Sequence, residues 1–148
     1  MMHLPPLSDE AIVLGAAATE WRGAVRAVGA ALTTAGVATP AYAEEMIRMI
    51  ERHGPYVVIA PGLALAHARP GPTVTRDGMA VVTLAEPVAF GHPHHDPVRV
   101  VLGVAVTNAV DHVTYVAAIA NVFNDSGAVD ALAAARTPDQ VRAILGRR

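Results

Sequence analysis

The chain has 148 residues, a formal net charge of −2 and no cysteine. This near-neutral charge excludes partners held by bulk charge, such as nucleic acid or an anionic membrane surface. The lack of thiols excludes disulfide frameworks, zinc ribbons and cysteine nucleophiles.

The hydrophobic fraction is 53% but the aromatic fraction only 4%, which predicts a core of Ala, Val, Leu and Ile. A chain of this length is expected to form one domain, over residues 1–148. The first ten residues lack a basic n-region, and no apolar run approaches the roughly 20 residues that a membrane span needs. We therefore expect a soluble, cytoplasmic protein.

The N-terminal third predicts one short strand and two helices. Residues 11–14 form an apolar run of edge-strand length. Thr19 is the predicted cap of the first helix and Gly36 its stop, while Thr39-Pro40 is typical of the start of a second helix. Apolar spacings of three and four give the buried faces: Trp21, Val25, Val28 and Leu32 on the first helix, and Tyr42, Met46, Met49 and Ile50 on the second.

The middle of the chain is rich in strand signals. Residues 56–60 and 63–67 are short apolar runs joined by the turn Pro61-Gly62. Residues 79–84 form a third predicted strand. Residues 98–107 are nearly all apolar, as expected of a central strand that is buried on both faces.

The last third predicts three helices. Asn108 or Asp111 caps the first, Asp125 or Ser126 the second, and Thr137 the third. Their predicted inner positions are Val113, Val116, Ala117, Ala120 and Phe123 on the first helix and Val141, Ile144 and Leu145 on the last. Helices at both ends of a strand-rich middle predict an α/β fold, with a mixed central β-sheet flanked by α-helices.

His67 ends the second short strand and is the first candidate for chemistry. A neutral imidazole is a competent nucleophile toward a phosphoryl group, whose oxygens need cationic or amide donors around them. Arg69, two residues later, is the candidate phosphate-binding residue. From local sequence alone, a partly buried structural histidine is the simpler interpretation of His67.

His112 follows the long apolar strand and lies in the first turn of a predicted helix. Ligands collect beyond the carboxyl ends of strands in open α/β sheets, and a helix start offers free N–H groups and a positive dipole. That dipole disfavours protonation of His112. Taken alone, His112 is more simply interpreted as a surface residue without a role. Two histidines that converge on one site would indicate a phosphate site.

A polar loop over residues 90–97 holds His92, His94, His95 and Asp96. Such nitrogen and oxygen ligands are those that zinc or nickel prefers. The spacing is poor for one compact site, and two prolines stiffen the loop. We therefore favour a solvated loop near the active face over a metal site, and predict no metal and no cofactor.

The chain resembles the enzyme IIA domain of the bacterial sugar phosphotransferase system (PTS). The resemblance is seen in Gly54-Pro55-Tyr56, in residues 59–64 and in the segment His67-x-Arg69-Pro70. Within the mannitol/fructose superfamily, the resemblance is to the ascorbate-type branch. It continues through Asp96-Pro97-Val98, Asp111-His112 and residues 121–125, and so covers roughly the whole chain. Family members often have Pro and Gly where this chain has Ala66 and Ala68.

This resemblance implies a mannitol-type enzyme IIA fold and a phosphohistidine phosphotransferase that serves sugar transport. The histidine receives a phosphoryl group from the phosphocarrier protein HPr and passes it to a cysteine of enzyme IIB. His67 matches the phosphorylated position, and His112 matches the second histidine, which helps to hold the phosphoryl group. Since this chain has no cysteine, enzyme IIB must be a separate chain, and contact with a membrane arises only through enzyme IIC.

An apolar rim that includes Leu63, Leu65 and Phe90 is the expected docking surface for HPr and enzyme IIB. Two other functions stay open: a nitrogen-type regulatory enzyme IIA, whose phosphorylation state controls partner proteins, and a non-enzymatic metal- or ligand-binding module that uses the histidine loop. The high apolar content also leaves room for a homodimer.

Overall fold

The computed structural model describes residues 4–124 and 127–146. One mixed sheet contains five strands in the order β1-β4-β5-β3-β2. The strands are β1 (Ile12–Ala16), β2 (Val58–Ala60), β3 (Leu63–His67), β4 (Gly78–Val88) and β5 (Val98–Ala105). The helices are α1 (Trp21–Thr34), α2 (Ala41–His53), α3 (Ala109–Val122), α4 (Ala128–Ala134) and α5 (Pro138–Ile144), preceded by a short 3-10 helix, Asp9–Ala11.

The pairing of the strands confirms the predicted α/β fold with a mixed sheet. β5 is central and pairs antiparallel with β4 and parallel with β3. β1 lies at one edge, parallel to β4, and β2 lies at the other edge, antiparallel to β3. Because β3 and β5 run in the same direction, their carboxyl ends meet at one edge of the sheet.

Glycines allow the first helix to approach both the sheet and the second helix. A Cβ atom on Gly103 of β5 would lie 2.8 Å from a methyl group of Val28 on α1. One on Gly29 of α1 would lie 2.5 Å from the Cβ of Ala43 on α2. Larger residues at these two positions would push the layers apart, since protein interiors are close-packed.

Most predicted elements are present, with local differences at the helix caps. Glu20, not Thr19, caps α1, because its longer carboxylate accepts hydrogen bonds from the amides of Arg22 and Gly23 at 2.9 and 3.1 Å. The predicted cap at Thr137 is confirmed by its bond from the amide of Gln140. The predicted caps Asp125 and Ser126 lie outside the described residues.

The predicted buried face of α3 is confirmed at Val116 and Phe123, which pack against the core, and is wrong at Val113, Ala117 and Ala120, which are exposed. Val110 and Val113 are 76% and 68% exposed, while Ala118 and Ile119 point into the core. The helix carries apolar residues on every side, so that its periodicity does not single out one face. Over the two described ranges, no helix has both the length and the apolar character that crossing a bilayer requires.

Candidate functional site

The parallel pairing of β3 and β5 brings His67 and His112 together. His67 is the last residue of β3 and pairs with Val104 near the end of β5. The chain then turns within a few residues and enters α3, which carries His112 in its first turn. The two imidazole rings lie 5.2 Å apart between centroids, with their planes inclined by 53°.

The backbone fixes the tautomer of His67. Its Nδ1 atom lies 2.9 Å from the carbonyl oxygen of Leu65. A carbonyl oxygen only accepts hydrogen bonds, so Nδ1 carries the proton and Nε2 of the neutral ring keeps its lone pair. Burial lowers the pKa of His67, although its bond to Leu65 acts in the opposite direction. The ring is therefore neutral and nucleophilic at pH 7.

His112 is held by the cap of α3. The side-chain oxygen of Asn108 accepts a bond from the amide of Asp111 at 2.9 Å, and its Nδ2 group donates to the carboxylate of Asp111 at 2.8 Å. Burial, followed by the proximity of His67, lowers the pKa of His112. Its buried Nδ1 atom has no hydrogen-bond partner among residues 4–124 and 127–146, so this ring has unused hydrogen-bonding capacity.

Asp77 fixes the loop that leads from β5 to α3. Its carboxylate accepts bonds from the amide of Thr107 at 2.8 Å and from the Thr107 hydroxyl at 3.0 Å. Thr107 directly precedes the cap residue Asn108. The carboxylate thus positions the start of α3, and with it His112.

Tyr42 joins the ends of β3 and β5 beneath the two histidines. Its hydroxyl donates to the carbonyl of Val104 at 2.7 Å and accepts from the amide of Ala68 at 3.0 Å. Burial raises the pKa of Tyr42 to about 12, so the phenol keeps its proton. The helical pattern predicted Tyr42 only as a core residue, because its tertiary bonds have no signal in the local sequence.

Tyr56 is a neighbour of His67 that the sequence reasoning missed. The two rings meet edge to face, with centroids 5.6 Å apart and planes at 90°. A signal was present in the sequence, because a two-residue turn at Pro61-Gly62 pairs Ala60 with Leu63, and counting four residues outward along each strand sets Tyr56 opposite His67.

Arg69 leaves the strand direction after His67. Its side chain is exposed and lines a cavity of about 330 Å³ between α2 and residues 68–72. Neither His67 nor His112 lines this cavity. Arg69 therefore lines a cavity that is separate from the contact between the two rings.

Comparison with known proteins accounts for this arrangement. Residues 6–147 match the family described as phosphoenolpyruvate-dependent sugar phosphotransferase system, EIIA 2. The chain belongs to this family. Enzyme IIA components are phosphotransferases, and the resemblance to the ascorbate-type branch is confirmed by relatives with that specificity. The ascorbate-specific EIIA component of Shigella flexneri is 36% identical over 99% of this chain and 96% of its own length.

Solved structures agree with the mannitol-type enzyme IIA fold. A chain described as a PTS IIA domain from Streptococcus pyogenes has a TM-score of 0.85 at 32% identity, covering 93% of this chain and 90% of its own. The mannitol enzyme IIA of Escherichia coli, solved in complex with phosphorylated mannitol enzyme IIB, has a TM-score of 0.83 at 26% identity. That match covers 97% of this chain and 99% of the mannitol protein.

The histidine loop of this IIA chain lies at the opposite end of the sheet from His67. The carbonyl of His95 accepts a bond from the amide of Gly62, directly before β3, whereas His67 ends β3, about 16 Å away at 3.3 Å per strand residue. The expectation of a loop near the active face is wrong, because residues 90–97 connect to the start of β5 and not to its end.

Hydrogen bonds within the loop occupy its polar groups. The carboxylate of Asp96 accepts bonds from the amides of Phe90, Gly91 and His92. The Nδ1 atom of His92 accepts from the amides of His94 and His95. Among the described residues, no group of three or more His, Cys, Asp or Glu side chains could hold a metal ion, which leaves the metal-binding alternative without a site there.

The predicted apolar rim of this IIA domain is also wrong. Leu63, Leu65 and Phe90 are 0%, 1% and 4% exposed, because β3 is an inner strand and Phe90 packs against Trp21 near the opposite end of the sheet. The exposed apolar side chains beside the histidine pair are instead Tyr56, Val110 and Val113.

Proposed function

We propose that this chain is a phosphocarrier of a sugar phosphotransferase system. His67 accepts a phosphoryl group from phospho-HPr and passes it to a cysteine of a separate enzyme IIB, for uptake of an ascorbate-type sugar. The observation that carries this proposal is the orientation of His67, whose Nδ1 atom is bonded to Leu65 while Nε2 remains a free nucleophile. The 36% identity to ascorbate-specific relatives supports the class of sugar.

The first transfer forms one bond and breaks one. The Nε2 lone pair of His67 attacks phosphorus, the Nε2–P bond forms, and the bond from phosphorus to HPr breaks. The product ring carries a positive charge, which the carbonyl of Leu65 stabilises through the Nδ1–H bond. In the second step the thiolate of enzyme IIB attacks phosphorus and forms an S–P bond, while the Nε2–P bond breaks and its electron pair returns to Nε2.

His112 and the start of α3 would stabilise the phosphoryl oxygens. The unused hydrogen-bonding capacity of His112 and the free amides of the first helical turn both suit an anion beside His67. Arg69 would contribute charge at longer range from the adjoining cavity. Positioning and charge stabilisation together supply most of the rate enhancement in phosphoryl transfer.

Exposed apolar side chains around the histidines would form the docking surface. Tyr56 lies on one side of His67, and Val110 and Val113 lie on either side of His112 along the chain. Large exposed apolar residues close together are typical of interaction sites. HPr and enzyme IIB would use this surface in turn, since both must reach the same nitrogen.

A phosphorylation assay tests the proposal. Enzyme I, HPr and phosphoenolpyruvate are incubated with wild type, with His67→Ala and, as a matched control, with His94→Ala at the far end of the sheet. We expect one acid-labile phosphoryl group by intact mass on wild type and on the control, and none on His67→Ala. A phosphorylated His67→Ala variant would contradict the assignment.

A regulatory role is the second candidate, because a nitrogen regulatory IIA protein from Neisseria meningitidis shares the fold at 25% identity and a TM-score of 0.81. Transfer from the phosphorylated chain to an ascorbate-type enzyme IIB separates the two functions. Rapid transfer to the IIB cysteine supports sugar uptake. A chain that is phosphorylated at His67 but does not transfer to enzyme IIB supports regulation.

A further inference from the structure

Three arginines line a single cavity on the side of the molecule next to the histidine pair. The cavity, of about 330 Å³, lies between the C-terminal half of α2 and residues 68–72. Arg48 and Arg52 come from the helix and Arg69 from the facing segment. We propose that this cavity is a binding site for a small phosphate monoester, separate from the transfer site at His67.

The charges of these arginines are not balanced within the described chain. Arg22, Arg26, Arg99 and Arg142 each form an ion pair with a carboxylate. By contrast, over residues 4–124 and 127–146 the guanidinium groups of the three cavity arginines form no ion pair or hydrogen bond. Arg48 and Arg52 are four residues apart on α2, so both side chains lie on the same face of the helix.

The net charge of the cavity matches a dianion. Among the residues that line it, the one carboxylate is that of Glu45, and both of its oxygens lie within hydrogen-bond distance of the Thr73 hydroxyl, at 3.0 and 2.8 Å. Three guanidinium groups and one carboxylate leave a charge of +2. A phosphate monoester carries close to two negative charges at neutral pH.

The shape of the cavity suits a phosphate attached to a small organic group. Guanidinium groups bind phosphate oxygens in pairs, and groups on facing walls would hold one phosphate from two sides. Met49, Pro70 and Pro72 provide apolar wall for the carbon part of the ligand. A volume of about 330 Å³ lies at the lower end of small-molecule sites and is sufficient for a phosphate ester of a few carbon atoms.

This inference does not depend on phosphoryl transfer at His67. The histidine pair does not line the cavity, and Ala68, which does, is buried and bonded to Tyr42. An anion can therefore occupy the cavity of the unphosphorylated chain without a contact to either histidine.

Titration with glycerol 3-phosphate, followed by the ¹H–¹⁵N signals of the arginine side chains, tests the proposal. At low ionic strength we expect saturable shifts at Arg48 and Arg52, and no shifts with glycerol. The double variant Arg48→Gln/Arg52→Gln should bind at least about tenfold more weakly, since charge-assisted bonds are lost. The matched control Arg136→Gln, at an exposed position between α4 and α5, should keep the wild-type affinity.

The His67→Ala variant separates the cavity from the transfer site. It should bind glycerol 3-phosphate as tightly as wild type. The proposal would be overturned by shifts in wild type that do not saturate, or by a double variant that binds as tightly as wild type. It would also be overturned if His67→Ala lost as much binding as the double variant. Backbone spectra of every variant establish that it is folded.

Discussion

The Nδ1 atom of His67 lies 2.9 Å from the carbonyl oxygen of Leu65, two residues earlier on the same strand. This local contact decides which ring nitrogen is free, because the carbonyl requires a proton on Nδ1. It also places an acceptor where positive charge develops when Nε2 gains a phosphoryl group. The end of β3 thus sets the orientation and the protonation state of the nucleophile together.

Removal of the second histidine should slow transfer without unfolding the protein. The substitution His112→Ala removes a half-buried ring from the edge of the site. It also removes the hydrogen bond that we propose between this ring and the phosphoryl oxygens. We expect the rate of phosphorylation by HPr to fall about 100-fold, as for loss of one transition-state donor. Quenched-flow mass spectrometry gives the rate, with His94→Ala as control. An unchanged rate would exclude His112 from the site.

The Tyr42 hydroxyl should stabilise the fold and position His67. In Tyr42→Phe, the amide of Ala68 and the carbonyl of Val104 lose a buried partner. We expect the free energy of unfolding in urea to fall by about 1–3 kcal/mol, and transfer to slow because the amide of Ala68, directly after His67, is no longer held by the hydroxyl.

Tyr115→Phe is the matched control for this substitution, since it removes a phenol hydroxyl that lies outside this network. It should change the free energy of unfolding by less than about 0.5 kcal/mol. Equal losses of unfolding free energy in the two variants would show that the bonds of Tyr42 do not stabilise the fold.

Stability should depend on pH through His67. Burial lowers its pKa in the folded state, so below the unfolded value of about 6.5 the unfolded chain binds more protons than the folded chain. The contribution of His67 to the free energy of unfolding is therefore complete above about pH 6.5. It is lost as the pH falls from about 6.5 toward the pKa of His67 in the folded state. Between about pH 7 and pH 5, wild type should therefore lose more unfolding free energy than His67→Gln. Parallel urea-unfolding curves over this range would contradict the lowered pKa.

The exposed face of α3 should bind protein partners. Val113 is 68% exposed next to His112, so Val113→Asp should leave stability within about 0.5 kcal/mol and weaken the complex with HPr about tenfold or more. Calorimetric titration with HPr measures this. The control Ala131→Asp lies at an exposed position of α4, a helix that packs near Gly62 at the other end of the sheet. A similar loss in both variants would indicate a charge effect without a docking site.

The helices and strands, and the places of His67 and His112 at the ends of elements, could be predicted from the sequence. The residues that surround the two histidines were harder to predict. The positions of His67 and His112 at element ends follow from local patterns, and parallel strands bring such ends together. The exposed apolar surface could not be predicted, because Leu63 and Leu65 are apolar for burial in the sheet, whereas α3 has apolar residues on every side and exposes Val113. The location of the histidine loop depends on which end of β5 it joins, and hence on the sheet topology.

The measurement that tests the account most directly is to identify the phosphorylated nitrogen. Long-range ¹H–¹⁵N and ³¹P NMR of the chain, phosphorylated with enzyme I, HPr and phosphoenolpyruvate, distinguish the two ring nitrogens of histidine. We predict a single phosphohistidine at Nε2 of His67, with the Nδ1 proton retained on its bond to Leu65. Phosphate on Nδ1 of His67, or on another histidine, would contradict it.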